Sequence, residues 1–145
     1  MPNTIKDLQF LAKQISKKVK PGDSVFLYGD LGTGKTTFSQ FFIKEVFKKN
    51  KKKSPQVTSP TFNVAQYYPI DKKKMIAHYD LYRLKKTKDL EHIGIFELQD
   101  SVISLIEWPE LIKKKKKNRI EIKLKHSKIE NQRDVTVKYF GRLKK

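Results

Sequence analysis

Gly29-Asp30-Leu31-Gly32-Thr33-Gly34-Lys35-Thr36 fits the pattern G-x-x-x-x-G-K-[ST] at every position. The flanking residues fit as well. Asp23–Tyr28 is mostly apolar and follows the turn signal Pro21-Gly22, which predicts a buried strand. From Thr37 to Phe47 the apolar residues Phe38, Phe41, Phe42, Val46 and Phe47 recur at helical spacing. Strand, glycine loop and helix, in that order, form the context that makes the string a phosphate-binding loop.

The residue types follow from the chemistry. Successive backbone N–H groups must turn inward to cradle an anion, and side chains would block the phosphate oxygens, hence Gly29, Gly32 and Gly34. A helix starting near Lys35 aims its free N–H groups and the positive end of its dipole at the same point. Lys35 can reach β- and γ-phosphates as a mobile charge, and the Thr36 hydroxyl can ligate Mg²⁺ on those oxygens. The competing reading is a glycine-rich turn before a helix that happens to carry Lys-Thr. The strand and the helix around the loop argue against it.

The chain has 145 residues, enough for one domain over 1–145 with a real core. It has no cysteine, so it forms no disulfide and no thiolate metal site. No apolar run approaches the roughly 18–20 residues that span a bilayer, and the first residues lack a signal-peptide stretch. The expectation is a cytoplasmic protein that does not enter the membrane. The formal net charge is +18, which suits a polyanionic partner. The excess is lysine, however, and the arginines are only Arg83, Arg119, Arg133 and Arg142. Specific nucleic-acid readers favour the planar fork of arginine. Runs such as Lys51–Lys53, Lys72–Lys74 and Lys113–Lys117 are equally explained by an A+T-rich genome, because lysine codons are A-rich.

Thr4–Val19 predicts an amphipathic helix with Ile5, Leu8, Ala12, Ile15 and Val19 on one face, and Thr4 with Asp7 resembles a capping box. Lys48–Pro55 is a charged loop. Thr61–Tyr68 reads as a strand, Pro69–Lys72 as a turn, and Met75–Asp80 as the second arm of a hairpin. Asp89–Leu98 reads as a helix with a weak point at Gly94. Val102–Ile106, ending at Glu107, has the pattern of a fully buried parallel strand. Ile120, Ile122 and Leu124, then Val135, Val137 and Tyr139, alternate with polar residues and predict two half-exposed strands joined by Ser127–Gln132. The expected fold is a three-layer α/β P-loop NTPase domain with a mixed, mainly parallel sheet.

A P-loop nucleotidase also needs a carboxylate near Mg²⁺ and a sensor of the γ-phosphate. Glu107 and Asp80 each end an apolar strand, and strand C-termini of an open α/β sheet face the ligand crevice. Each is equally readable as a carboxylate that caps a loop. Ser59-Pro60-Thr61-Phe62 lies where switch segments run, and reads otherwise as a strand entry. Trp108 stands beside a candidate metal ligand and is either core or a nucleotide or partner contact; His78 reads as a packed strand residue ahead of a base. Asn50-Lys51-Lys52-Lys53 has lysine where a guanine-reading Asn-Lys-x-Asp motif needs aspartate, so ATP is preferred over GTP.

Taken together, Tyr28–Phe38, Ser59–Phe62, Asp80-Leu81-Tyr82-Arg83-Leu84 and Glu107-Trp108-Pro109-Glu110 resemble the bacterial TsaE (earlier YjeE) family, in order and spacing from Thr4 to about Arg133. The phosphate loop is shared by many families; the four blocks together are specific. The resemblance implies a small cytoplasmic Mg-dependent ATPase, weak alone, needed for threonylcarbamoylation of adenosine 37 in tRNAs that read codons beginning with A. It implies docking on a TsaD–TsaB heterodimer, with tRNA met through that complex and ATP hydrolysis resetting it. By position, Leu31, Gly32, Thr33, Gly34, Lys35 and Thr36 would cradle the phosphates, Thr36 and Glu107 would hold Mg²⁺, and Lys35, Glu107 and Asp80 would be catalytic. Thr61, Trp108, Arg133 and Thr4 would contact nucleotide. Two other readings stand beside this one. A small-molecule kinase would need an acceptor pocket and an Arg-rich lid, and no such segment is present. A nucleic-acid-binding protein regulated by nucleotide would lose function on charge reversal of the lysine runs.

Overall fold

The computed structural model of the chain describes residues 2–60, 63–98 and 100–144. After a short β1 (Pro2–Asn3), Thr4 caps α1 (Ile5–Lys18). Its hydroxyl accepts from the Asp7 N–H at 3.3 Å, and Asp7 Oδ2 accepts from the Thr4 N–H at 2.9 Å, which is the expected capping box. β2 (Ser24–Tyr28) runs into the glycine loop, and α2 follows as Lys35–Lys49. The helix continues past Phe47 because Lys48 and Lys49 suit its negative end and Asn50 caps it, its N–H bonding Val46 O at 3.2 Å and its side-chain amide the same carbonyl at 2.8 Å.

β3 (Ala65–Pro69) and β4 (Met75–Asp80) form the expected hairpin. Asp71 closes its turn by accepting from the N–H groups of Lys73 and Lys74 at 2.7 and 2.8 Å. The strand expected over Thr61–Tyr68 starts later. Val64 has φ of 67°, a left-handed bend that strand pairing does not accommodate, and Thr61 and Phe62 lie outside the described residues. Pro69 belongs to the strand rather than the turn, and β3 is an edge strand, where a missing N–H is tolerated. The helix expected over Asp89–Leu98 is two short ones, α3 (Lys88–His92) and α4 (Ile95–Leu98), broken by Gly94 at φ 70°. β5 (Ile103–Glu107), a 3-10 turn at Pro109–Leu111, β6 (Arg119–His126) and β7 (Arg133–Phe140) complete the sheet.

The strand order is β1-β7-β6-β2-β5-β4-β3. The central run β6-β2-β5-β4 is parallel, and β3, β7 and β1 join antiparallel at the flanks. β6 is more buried than a half-exposed strand because it lies between β2 and β7. Alternation along the strands builds two cores. Val25, Leu27, Ile76, Ile103, Leu105, Ile120 and Ile122 meet α1 and α2 on one face. Phe26, Ala77, Tyr79 and Ile106 meet Leu90 of α3 and Ile95 of α4 on the other. These are the three layers. Phe38 and Phe42 of α2 are fully buried and stack with ring centroids 6.2 Å apart, so truncating either should cost about 3–5 kcal/mol. That packing fixes the helix behind the glycine loop. The four parallel strands end on one edge at Tyr28, Asp80, Glu107 and His126, and the loop lies along that edge.

Candidate phosphate-binding site

The loop is held open from within. A Cβ on Gly29, at φ 152°, would lie 2.6 Å from both Leu124 O and Thr33 Oγ1, so only glycine fits between β6 and the loop. Thr33 is buried and donates its hydroxyl to Asp30 O at 2.8 Å. Gly34, at φ 105°, is the N-cap of α2 and turns the chain into the helix.

Lys35 begins α2 and is 6% exposed. Its ammonium donates to Gly29 O and, at 3.2 Å, to Asp30 O, and it lies 3.7 Å from the centre of the Trp108 ring. Burial pulls the Lys35 ammonium below its ordinary pKa, and the nearby carboxylates Glu107, Asp80, Glu110 and Asp30 oppose that shift without reversing it.

The two strand-end carboxylates come together. Asp80 pairs with Glu107 across β4 and β5, and Glu107 with Leu27 across β5 and β2, so both stand level with the start of the loop. Glu107 is 2% exposed, its Oε2 lying 2.7 Å from His78 Nε2 and 3.3 Å from Ser39 Oγ. Asp80 is buried, and its Oδ1 accepts from the Tyr82 N–H at 3.0 Å, which turns the chain away after β4. Trp108 sits at φ 57° and ψ 57°, a left-handed conformation rare for a bulky residue, with its ring 4.8 Å from that of Tyr82. This bend swings the indole over Lys35.

A cavity of about 310 Å³ joins these groups. Its lining holds Leu31, Gly32, Thr33, Gly34, Lys35 and Thr36 of the loop, together with Asp80, Glu107, Trp108, Thr4 and Arg133. Arg133, at the start of β7, donates to Gly32 O at 3.2 Å and so ties the far hairpin to the loop. Of the residues expected at the site, Thr61 alone lies outside the described residues. Ser59 is exposed and away from the cavity lining. Sequence reasoning missed Ser39 and Asn131 and undervalued His78. Ser39 was within reach, since it stands four positions after Lys35 and therefore on the same helix face.

A buried parallel strand, a positive-φ glycine loop, a helix N-terminus with lysine, and carboxylates on the adjacent strand ends define a P-loop nucleoside triphosphatase fold. The comparisons specify the family. The family profile described as "Threonylcarbamoyl adenosine biosynthesis protein TsaE" matches residues 3–135. The chain is 40% identical over 111 residues to the tRNA threonylcarbamoyladenosine biosynthesis protein TsaE of Rickettsia prowazekii, covering 77% of this chain and 74% of that one. It is 32% identical over 133 residues to the protein of the same name in Bacillus subtilis, covering 90% and 78%. The crystal structure of YdiB from Bacillus subtilis superposes with a TM-score of 0.71 at 26% identity, over 97% of this chain and 84% of that one. The chain belongs to the TsaE family. Among the described residues no helix is long and apolar enough to cross a membrane.

Proposed function

We propose that this chain is a Mg-dependent ATPase serving tRNA threonylcarbamoyladenosine biosynthesis, and that it works on a TsaD–TsaB complex through which it meets tRNA. The observation that carries the nucleotide part is the convergence of loop, Lys35, Asp80 and Glu107 on one cavity. The names of the relatives supply the pathway.

The loop N–H groups and the α2 N-terminus bind the phosphates. Lys35 exchanges its bonds to Gly29 O and Asp30 O for phosphate oxygens, which keeps its charge within the site. Mg²⁺ at nucleotide sites keeps several waters and takes only one or two protein oxygens, so the Thr36 hydroxyl and the Glu107 carboxylate on this cavity fit it. Once bound, it would neutralise charge on the β- and γ-oxygens. Asp80 borders the same cavity and serves to order the attacking water. Trp108 lies over the lysine, backed by the Tyr82 ring, and limits water access there. Arg133 is the arginine of this chain that lines the cavity. It donates to Gly32 O and, like Lys35, would exchange that bond for a phosphate oxygen.

Calorimetry with Mg·ATP and Mg·GTP tests the nucleotide part, and ATP must bind more tightly. Co-purification with TsaD–TsaB, with and without ATP, tests the pathway part, together with the rise in turnover on adding that complex. Fast turnover that ignores TsaD–TsaB would reject the partner role. A groove of about 450 Å³ across Trp108, lined by Tyr28, Asp30, Glu110 and Lys123 among others, favours a second reading as a kinase. Formation of a phosphorylated small molecule in place of free phosphate would select it.

A further inference from the structure

His78 has no part in the reading above, although it is 0% exposed and lies 2.7 Å from Glu107. It sits in the middle of β4, paired with Gln66 of β3 and Leu105 of β5, on the sheet face that packs against α2. An ionised carboxylate only accepts, so the ring proton at this contact is on Nε2. The other ring nitrogen, Nδ1, is buried with no hydrogen-bond partner among the described residues. A histidine present only for packing would be replaced without loss by an apolar residue, which leaves no polar atom unsatisfied. The bond to Glu107 is what distinguishes histidine here.

Ser39 does not duplicate that bond. Its single hydroxyl proton has a good acceptor in Lys35 O at 2.8 Å, one helical turn back, whereas Glu107 Oε2 lies 3.3 Å away, at the long end for O–H···O. His78 is therefore the donor that fixes the rotation of the Glu107 carboxylate. We propose that His78 is a positioning residue for Glu107: by occupying Oε2 from the core side, it holds Oε1 toward the cavity as the oxygen that meets the metal. This rests on the reading of Glu107 as a Mg²⁺ ligand. It is the usual metal, histidine and carboxylate relay in reverse order, with the carboxylate toward the metal and the histidine behind it.

The test titrates Mg²⁺ into the full chain with a non-hydrolysable ATP analogue and follows analogue affinity by calorimetry. In His78→Phe the Mg²⁺ requirement should rise about 10–100-fold, the usual effect of removing such an outer partner, while analogue affinity without Mg²⁺ stays unchanged. His78→Gln, whose amide nitrogen can take the place of Nε2, should return the Mg²⁺ requirement to within about threefold of wild type. Wild-type Mg²⁺ dependence in His78→Phe overturns the proposal, and so does an equal loss with and without Mg²⁺, which would mark simple packing. If wild type itself shows no Mg²⁺ dependence, the Mg-ATPase reading fails as well. Should His78→Phe not fold, ring-nitrogen NMR on the wild type decides. The His78 Nε2–H signal should move when Mg²⁺ joins the analogue complex, and a signal that stays in place overturns the proposal.

Discussion

Glu107 on β5 and Glu121 on β6 are both buried, 2% and 7% exposed, and their strands flank β2 on either side. Their surroundings differ in kind. Glu121 faces the sheet side away from α2 and is met by Arg119 Nε at 2.7 Å and Lys115 Nζ at 3.5 Å. Burial alone would raise its pKa, but the Arg119 hydrogen bond and the Lys115 charge together bring it below the ordinary glutamate value. Glu107 is bonded instead by the ring of His78, and the nearby Lys35 directs its ammonium at loop carbonyls and the Trp108 ring. A structural carboxylate is quenched by cations of its own neighbourhood. In the cavity the opposite charges are each held by other groups, so both remain available to a ligand that carries charge of its own.

The largest effect should separate the two glutamates. Glu107→Ala should lower partner-stimulated kcat by at least about 100-fold, the scale on which one preorganised electrostatic group acts, with a much smaller change in nucleotide affinity. Glu121→Ala should leave turnover near wild type. Steady-state kinetics on both variants is the check, and equal losses would erase the contrast.

Lys35→Ala comes next. Each charge-assisted hydrogen bond to phosphate is worth about 1.5–3 kcal/mol, so nucleotide affinity should fall by about tenfold or more. The folded state should lose little, because the ammonium is buried at a cost in solvation. Calorimetry giving the same affinity as wild type would remove the phosphate-binding assignment altogether.

The loop and the two strand-end carboxylates were legible in the sequence, Glu121 was not, and the reason is local. The loop carries its information in eight consecutive residues, and Glu107 and Asp80 declare themselves by ending apolar runs. The capping box at Thr4 and the weak point at Gly94 are also short-range signals, and both appear as expected. His78 was legible as a packed strand residue ahead of a base, and not as a partner of Glu107. Its partner stands 29 positions away, and only the register of β4 against β5 brings them together. The late start of β3 was hidden in part for a similar reason: beside the local bond from Val64 N–H to Pro60 O, the bend at Val64 is held by Asp80 N–H donating to Val64 O, sixteen positions away. The charge run that dominates the composition says least about the site, because the lysines that matter, Lys35 and Lys115, are told apart by what surrounds them.

A smaller effect is expected at Thr4, which both caps α1 and lines the cavity. Thr4→Ala removes the cap and should cost about 1 kcal/mol of stability in urea unfolding, while Thr4→Ser should restore it. Loss of nucleotide affinity in Thr4→Ala beyond that seen for Lys35→Ala would mean that the helix cap, not the lysine, organises the anion site.

The smallest effect tests what quenching means for Glu121. Glu121→Gln keeps the shape and removes the charge, leaving Arg119 and Lys115 without their anion. Both cations are partly exposed, so the cost near neutral pH should be about 1 kcal/mol or less. The sign of its pH dependence follows from the direction of the shift. The folded carboxyl lies below its ordinary value of 4.5, so the unfolded chain takes up the proton first as the solution is acidified. The stabilisation is complete above that value and drains away as pH falls through the folded one. The gap between wild type and Glu121→Gln in urea midpoint should therefore be constant from neutral pH down to about 5 and narrow steadily as the pH falls below 4.5. Added salt should narrow it at neutral pH, because the partner cations are open to screening. A gap that survives at low pH and high salt would show that Glu121 contributes through hydrogen bonds that the glutamine amide does not reproduce. The difference between the two buried glutamates would then have to be argued from geometry, with local charge balance playing no part in it.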